Sequence, residues 1–298
     1  MTSVARATYR LTAAACAGLV WRVPTLEGPL VRLGASVWHW PRAGRFYRSV
    51  AGRYADCLKR SGSPFRQVRV AGTPLIVDVT EFTTAPLFFG NVPYEPATTD
   101  YLRQRLRPGH VCVDVGANHG YFTLLAAALV GADGRVFAFE PNPPVFEQLE
   151  AHVRLNRFES RVVLMRQALT DTVDPRARLF VSQWPGNSGV SSLVPPASTV
   201  SEGGLSPERS IAVSAETFDR WLAASALEHV DLVKIDTEGS EELVVRGMSA
   251  ALGSRRIGAV VCETRWDGAA HRLLCRFGLR PQRLEAVGPL TNIAYTPA

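Results

Sequence analysis

The chain has no apolar run of the roughly 18 residues that a membrane-spanning helix requires. Its longest candidate, Leu11 to Trp21, is shorter and is bracketed by Arg10 and Arg22. No small-residue cleavage site with a mature start follows it, so it reads as a short amphipathic or buried helix rather than a signal peptide. Cysteine is sparse: the five residues Cys16, Cys57, Cys112, Cys262 and Cys275 form no CxxC pair. An odd, scattered set argues against a disulfide framework or a zinc site and fits reduced thiols in a cytoplasmic protein. The six histidines lack ligand spacing, so no metal is expected. Lysine is nearly missing, with Lys59 and Lys234 alone among 33 basic residues. No internal repeat is present. With 46% hydrophobic and 20% charged residues in 298, the composition is that of a folded globular chain, not a disordered one or a coiled coil.

The net charge of +6 is unevenly placed. Residues 1–70 carry twelve of the 33 basic side chains and only two acids, Glu27 and Asp56. The excess positive charge of the chain therefore belongs to this segment, and the remainder is mildly acidic. Trp21, Trp38 and Trp40 also lie here. A basic, aromatic segment can attract nucleic acid, acidic lipid headgroups or an anionic substrate, or it can be a solvated face packed on the main domain.

Three divisions are expected: residues 1–64, a basic, Arg/Trp-rich helical segment; 65–109, a hairpin turning at Gly72 and a lead-in helix; and 110–298, a domain of alternating strands and helices. In that domain strands are expected over His110–Val115, Arg135–Phe139, Arg161–Gln167, Val230–Ile235 and Ile257–Cys262. Helices are expected over Tyr121–Val130, Pro143–Asn156, Ala215–Leu227, Ser240–Ala251 and Gly268–Phe277, the fourth with Ser240 as N-cap. Two last strands meet at Gly288-Pro289. Such alternation predicts a mostly parallel sheet with helices on both faces and a site beyond the carboxyl ends of its strands. Trp184–Ser210, rich in Pro, Gly and Ser, is too long for a mere connector and is expected to be a lid or acceptor wall.

Three segments carry chemistry. In Val113-Asp-Val-Gly-Ala-Asn-His-Gly-Tyr-Phe-Thr123 an apolar strand enters a glycine turn and then a helix. Gly116 and Gly120 allow close backbone approach, and the helix start offers free N–H donors. Asp114 can brace the loop or accept from an ammonium group. The glycines stand at G-x-x-x-G, not G-x-G-x-x-G, which disfavours a dinucleotide pyrophosphate. Glu140, in Phe137-Ala-Phe-Glu-Pro-Asn-Pro143, ends the second strand, where a carboxylate can accept both hydroxyls of a ribose. Leu232-Val-Lys-Ile-Asp-Thr-Glu-Gly239 places Asp236 and Glu238 at the fourth strand end, where on extended backbone they would share a side as a carboxylate pair. Lys234, inside that apolar strand, is costly unless paired.

With Gly189-Val-Ser-Ser-Leu193, these motifs resemble the FkbM family of S-adenosylmethionine-dependent methyltransferases. The likeness runs over about residues 65–298 and also takes in Tyr94-Glu-Pro96, Asn156, Thr217-Phe-Asp219 and Glu263. His119 stands in a slot that is often apolar, and Phe218 where Leu is usual. The resemblance implies a class I methyltransferase (Rossmann-like) fold with a seven-stranded sheet whose last strand is antiparallel, S-adenosylmethionine as cofactor, and O-methylation. Carried over for cofactor binding are Asp114, Gly116, Asn118, Gly120, Glu140 and Asn142, with Gln167 and Ala168 near the adenine and Asp236 near the methyl donor. An alcohol nucleophile benefits from a base, and His119, Asp236 and Glu238 are the candidates. The expected acceptor is a hydroxyl of a small molecule, sugar or glycolipid. A solvated face packed on the main domain is the favoured reading of residues 1–64, with peripheral membrane contact as the alternative and nucleic acid less favoured. The competing readings are a nicotinamide dehydrogenase and a binding protein without chemistry.

Overall fold

The computed structural model describes residues 3–81, 83–182, 190–195, 205–206 and 208–298. The chain divides into two compact units, one of residues 1–69 and 74–94, the other of 70–73 and 95–298. The first contains helices α1 (Ser3–Arg22), α2 (Glu27–Val37), α3 (Ala43–Arg60) and α4 (Ala85–Phe89), with strands β1 (Phe65–Val70) and β2 (Thr73–Asp78) except for the hairpin tip 70–73, which turns at Gly72. Buried Ala13, Ala17 and Val20 face α3 from α1, and Tyr9 meets Phe46 edge to face. Gly34 is the point of closest approach: a Cβ there would fall 1.8 Å from the Phe89 carbonyl oxygen and 2.3 Å from the Tyr47 hydroxyl. The Tyr47 hydroxyl donates to that same carbonyl at 2.8 Å. The Glu27 carboxylate accepts from Tyr54 at 2.5 Å and from Arg66 at 2.8 Å. Burial works to raise the Glu27 carboxyl, but Arg66 and Tyr54 together hold it below its usual range.

The second unit begins with α5 (Pro96–Arg105) and then alternates: β3 (Val111–Val115), α6 (Tyr121–Val130), β4 (Arg135–Phe139), α7 (Pro143–Leu155), β5 (Val162–Met165). A second set follows as β6 (Ala168–Thr170), β7 (Asp174–Val181), β8 (Ser191–Ser192), β9 (Ser210–Thr217) and α8 (Phe218–Ala224). The chain then returns through β10 (Leu232–Ile235), α9 (Glu241–Gly247), α10 (Ser249–Gly253), β11 (Val260–Thr264), α11 (Ala269–Arg276), β12 (Leu279–Val287) and β13 (Leu290–Pro297).

Seven strands make the main sheet in the order β12-β13-β11-β10-β3-β4-β5, with β13 antiparallel to β11 and β12. The expected class I methyltransferase sheet is therefore present. Its strands are near-continuous apolar runs because helices cover both faces. On one face Val113, Val115, Val233 and Ile235 join Phe218, Trp221, Met248 and Tyr295 in a single core. Trp221 receives the edges of Phe137, Phe139 and Phe218. The chain runs outward from β3 to β5 and comes back to β10 on the other side of β3, so the sheet's switch point lies between β3 and β10, and the strand ends there are where open α/β sheets place a ligand crevice.

Two expectations change. Residues 215–217 are strand, not helix: Val213 and Ala215 alternate inward, pairing β9 with β6 and β7 in a second, four-stranded sheet, and tertiary pairing overrides the helix propensity of Ala215 and Glu216. The helix expected through Ala251 breaks at Met248, because the Asp219 carboxylate accepts the Ala250 and Ala251 N–H groups and starts α10 separately. Most of Trp184–Ser210, the expected lid, lies outside the described residues.

Because Gly34 has backbone oxygen where a side chain would begin, Gly34→Ala is expected to destabilise the protein by about 1–3 kcal/mol. Urea denaturation should show a lower midpoint, and an unchanged midpoint would mean that α2 does not pack as closely as described.

Candidate functional site

The crevice begins with backbone. Gly116, at φ +79°, turns the chain out of β3 so tightly that a Cβ would sit 1.8 Å from the Asp236 carbonyl oxygen. The Gly116 and Ala117 N–H groups donate to the Phe139 carbonyl at 3.0 and 2.9 Å, and the Asp236 N–H donates to the Val115 carbonyl at 3.0 Å. The loops after β3, β4 and β10 are thus stitched together. Gly120, at φ +94°, starts α6 with its Cα against Leu149.

Glu140 lies buried at the end of β4. One carboxylate oxygen accepts the Asn118 N–H at 2.9 Å, the other the Asn142 N–H at 2.8 Å. Burial pushes its carboxyl up to about 7 against the pull of those two donors. A carboxylate has about four acceptor positions, so each oxygen keeps one for a ligand. The Glu140 N–H donates to the Met165 carbonyl, which brings Gln167 and the buried Ala168 alongside. Asn118 sits at φ +50° and its side chain accepts the His119 N–H at 2.8 Å. The His119 carbonyl is held by His152 Nδ1 at 2.7 Å.

Asp114 and Lys234 are partners on adjacent strands and share one face of the sheet. One Asp114 oxygen accepts from the Thr123 hydroxyl at 2.6 Å, bracing α6, while the other is buried with no hydrogen-bond partner. Burial raises the Asp114 carboxyl, with Lys234 and Thr123 opposing it. The Lys234 ammonium is 2.9 Å from Asp236 Oδ2 and 4.5 Å from the centre of the Phe122 ring. Burial disfavours its charge, but Asp236, Glu95 and Asp114 outweigh that and keep it protonated.

Asp236 also hydrogen-bonds to Glu263 on the neighbouring β11. Lys234 and Glu263 hold Asp236 low against burial, whereas burial and the Asp236 charge drive Glu263 strongly upward, so the shared proton resides on Glu263. Glu238 is not on extended backbone. The strand ends at Ile235, and Glu238 occupies a turn at φ +53°, so Asp236 hydrogen-bonds to Glu263 while Glu238 meets Asp236 through charge from the turn rather than from a shared strand face. Its tip stays open to solvent, yet the protein mass around it and the Asp236 and Glu241 charges raise its carboxyl to about 8. Solvent at the open tip screens part of that shift. Ser240 has no capping bond either. Its hydroxyl pairs with Ser192 at 3.1 Å and accepts the Leu193 N–H, and Glu241 caps the turn instead through the Thr237 and Gly239 N–H groups.

The structure thus gathers Asp114, Gly116, Glu140, Asp236 and Glu238 at one crevice, with Asn118 and Asn142 behind Glu140. Glu263 and Glu95 complete it, although the sequence motifs marked them only as part of a layout. Glu95, buried at φ +42° ahead of Pro96, is one of the charges acting on Lys234, Glu238 and Glu263. Among the described residues no cluster of histidine, cysteine and carboxylate side chains is arranged to hold a metal ion.

Lys234→Met should cost about 3–5 kcal/mol of stability at neutral pH by leaving buried carboxylates without their cation. Asp236 contributes stability above the ordinary carboxylate range and loses it as pH falls through its lowered folded value. The gap between wild type and variant in urea denaturation should therefore narrow on acidification, and a constant gap would point to packing alone.

Residues 114–277 match the family described as Methyltransferase FkbM domain. The 31-O-demethyl-FK506 methyltransferase FkbM of Streptomyces tacrolimicus is 33% identical over 202 residues, 59% of this chain and 75% of that one. The hexuronic acid methyltransferase AglP of Haloferax volcanii is 29% identical over 144 residues, 47% of this chain and 51% of that one. Among solved structures, precorrin-6y C5,15-methyltransferase of Geobacter metallireducens aligns with a TM-score of 0.40 and 16% identity, over 68% of this chain and 89% of that one.

Proposed function

The chain belongs to the FkbM family and is an S-adenosylmethionine-dependent methyltransferase, and from that premise we propose that it methylates a hydroxyl oxygen of a small molecule, sugar or glycolipid, with Glu238 as the base. The nicotinamide dehydrogenase reading falls with this membership.

The residues present suit the cofactor. Asp114 offers a buried carboxylate oxygen with no protein partner, and Glu140 keeps acceptor positions after both backbone donors are counted. Gly116 lets the Asp236 backbone close against the β3 turn, which fixes where these carboxylates stand. Around them one ammonium, Lys234, interacts with the carboxyl groups of Asp114, Asp236, Glu95 and Glu238, so acids outnumber cations and the site favours a cationic ligand. When bound, S-adenosylmethionine supplies an electrophilic methyl group on a sulfonium centre. In this reading Asp114, Gly116, Asn118, Gly120, Glu140 and Asn142 hold it, Gln167 and Ala168 flank its base, and Asp236 with Lys234 sets the charge beside it.

One observation carries the choice of base: Glu238 is the most exposed carboxyl of this cluster, and burial with its neighbours raises its proton affinity toward neutrality. It can take the proton of an alcohol as the oxygen attacks. Asp236 is held low and occupied by Lys234 and Glu263, which suits positioning rather than proton uptake. His119 is the weaker candidate, fixed through its carbonyl toward α7. Oxygen as the target is supported by the relatives, one acting on a 31-O-demethyl compound and one on a hexuronic acid.

Labelled S-adenosylmethionine incubated with fractionated small-molecule and glycolipid extracts should identify the acceptor. Calorimetry with S-adenosylhomocysteine should show Glu140→Ala weakening binding by about 1–3 kcal/mol. Glu238→Gln should leave that affinity within about twofold and lower turnover by about 100-fold or more. Since Glu238 must lose its proton to act, wild-type turnover should rise with pH through a midpoint well above that of an ordinary carboxylate, and the variant should lose this limb. Near-normal turnover in Glu238→Gln would overturn its assignment.

A further inference from the structure

The first unit presents an exposed apolar surface on α1. The buried side of α1, carrying Ala13, Ala17 and Val20, packs inward. Its opposite side carries Leu11, Ala14, Ala15 and Leu19, with Leu11 71% and Leu19 54% exposed. Arg10 and Arg22 bracket this apolar ridge, and Trp21, 41% exposed, stands beside its end. The Arg22 guanidinium reaches back along the helix toward Gly18, covering apolar surface with its stem while its charge stays outside. Beyond α1, Leu33 and Trp40 are 53% and 61% exposed.

Positive charge dominates residues 1–70, with twelve basic side chains against two acids. Of the two acids in residues 1–70, Glu27 is engaged by Arg66 and Tyr54, which leaves Asp56 as the exposed one. An aliphatic ridge flanked by arginine and tryptophan fits the boundary between lipid headgroups and acyl chains, where the leucines enter the apolar layer and the cations meet phosphate. No helix among the described residues is long and apolar enough to cross a membrane, so the mode that suits α1 is in-plane.

We propose that the outward face of α1 docks on an anionic lipid bilayer, with Leu11 and Leu19 inserted and Arg10 and Arg22 at the headgroups. A second copy of the chain would set two strongly basic surfaces against each other. Single-stranded RNA would find charge here, but leucine and alanine where stacking platforms are needed.

The test is sedimentation of the full chain with vesicles of phosphatidylcholine alone and of phosphatidylcholine mixed with phosphatidylglycerol. The mixed vesicles should bind at least about tenfold more tightly, with loss at high salt and a blue shift of tryptophan emission. Leu11→Glu/Leu19→Glu and Arg10→Glu/Arg22→Glu should each weaken binding by at least about tenfold. Both variants should keep the wild-type helical circular dichroism and urea midpoint, which checks the folding of the first unit, and should bind S-adenosylhomocysteine as wild type does, which checks the second. Equal binding to both vesicle types, or none, would overturn it. So would selective binding of poly(U), or a concentration-dependent dimer that Leu11→Glu/Leu19→Glu dissolves.

Discussion

The ammonium of Lys234 is the interaction on which the crevice depends. It stands on the central strand β10 with 3% of its side chain accessible, next to Asp114 across the sheet and 2.9 Å from Asp236 along the chain. A buried charge persists only where others compensate it. Here the compensation is more than complete: the carboxyl groups outnumber the cation, so some must hold protons. Glu263 takes one by hydrogen bonding to Asp236, and Glu140 and Glu238 are shifted toward neutrality. A single cation therefore sorts the surrounding acids into those that stay ionised and those that can exchange a proton near pH 7.

Backbone arrangement makes that sorting possible. The switch between β3 and β10 places two strand ends side by side, and Gly116 lets their loops touch with no side chain between. Each acid then arrives from a different element: Asp114 from β3, Glu140 after β4, Asp236 after β10 and Glu263 from β11. None lies more than one residue beyond its strand, so the rigid sheet, rather than a loop, fixes the spacing.

The main sheet was legible because its strands are short apolar runs that end in glycine, proline or acid, and because its helices have clear starts. Asp114, Gly116, Glu140 and Asp236 stood out for the same reason, as each directly precedes or follows a turn. The second sheet was not legible. Its β8 has two residues, and β7 pairs with β9 across more than 30 residues, a non-local contact that no local period reveals. Glu263 was recognised as part of a family layout but not as a partner of Asp236, since inside Val260–Thr264 it reads as one polar residue in a strand, and its role comes from the register of the neighbouring β10. The turn at Glu238 was missed because a left-handed non-glycine residue leaves little mark in sequence.

The hydroxyl pair Ser192–Ser240 joins the short β8 to the residue that follows Gly239. It works as a mechanical leash: Gly239 alone separates Ser240 from Glu238, so a displacement on the β8 side reaches that turn with little slack. Any change at Ser191–Pro195 is thereby felt at the turn that carries Glu238, and the short strand and that turn behave mechanically as one piece.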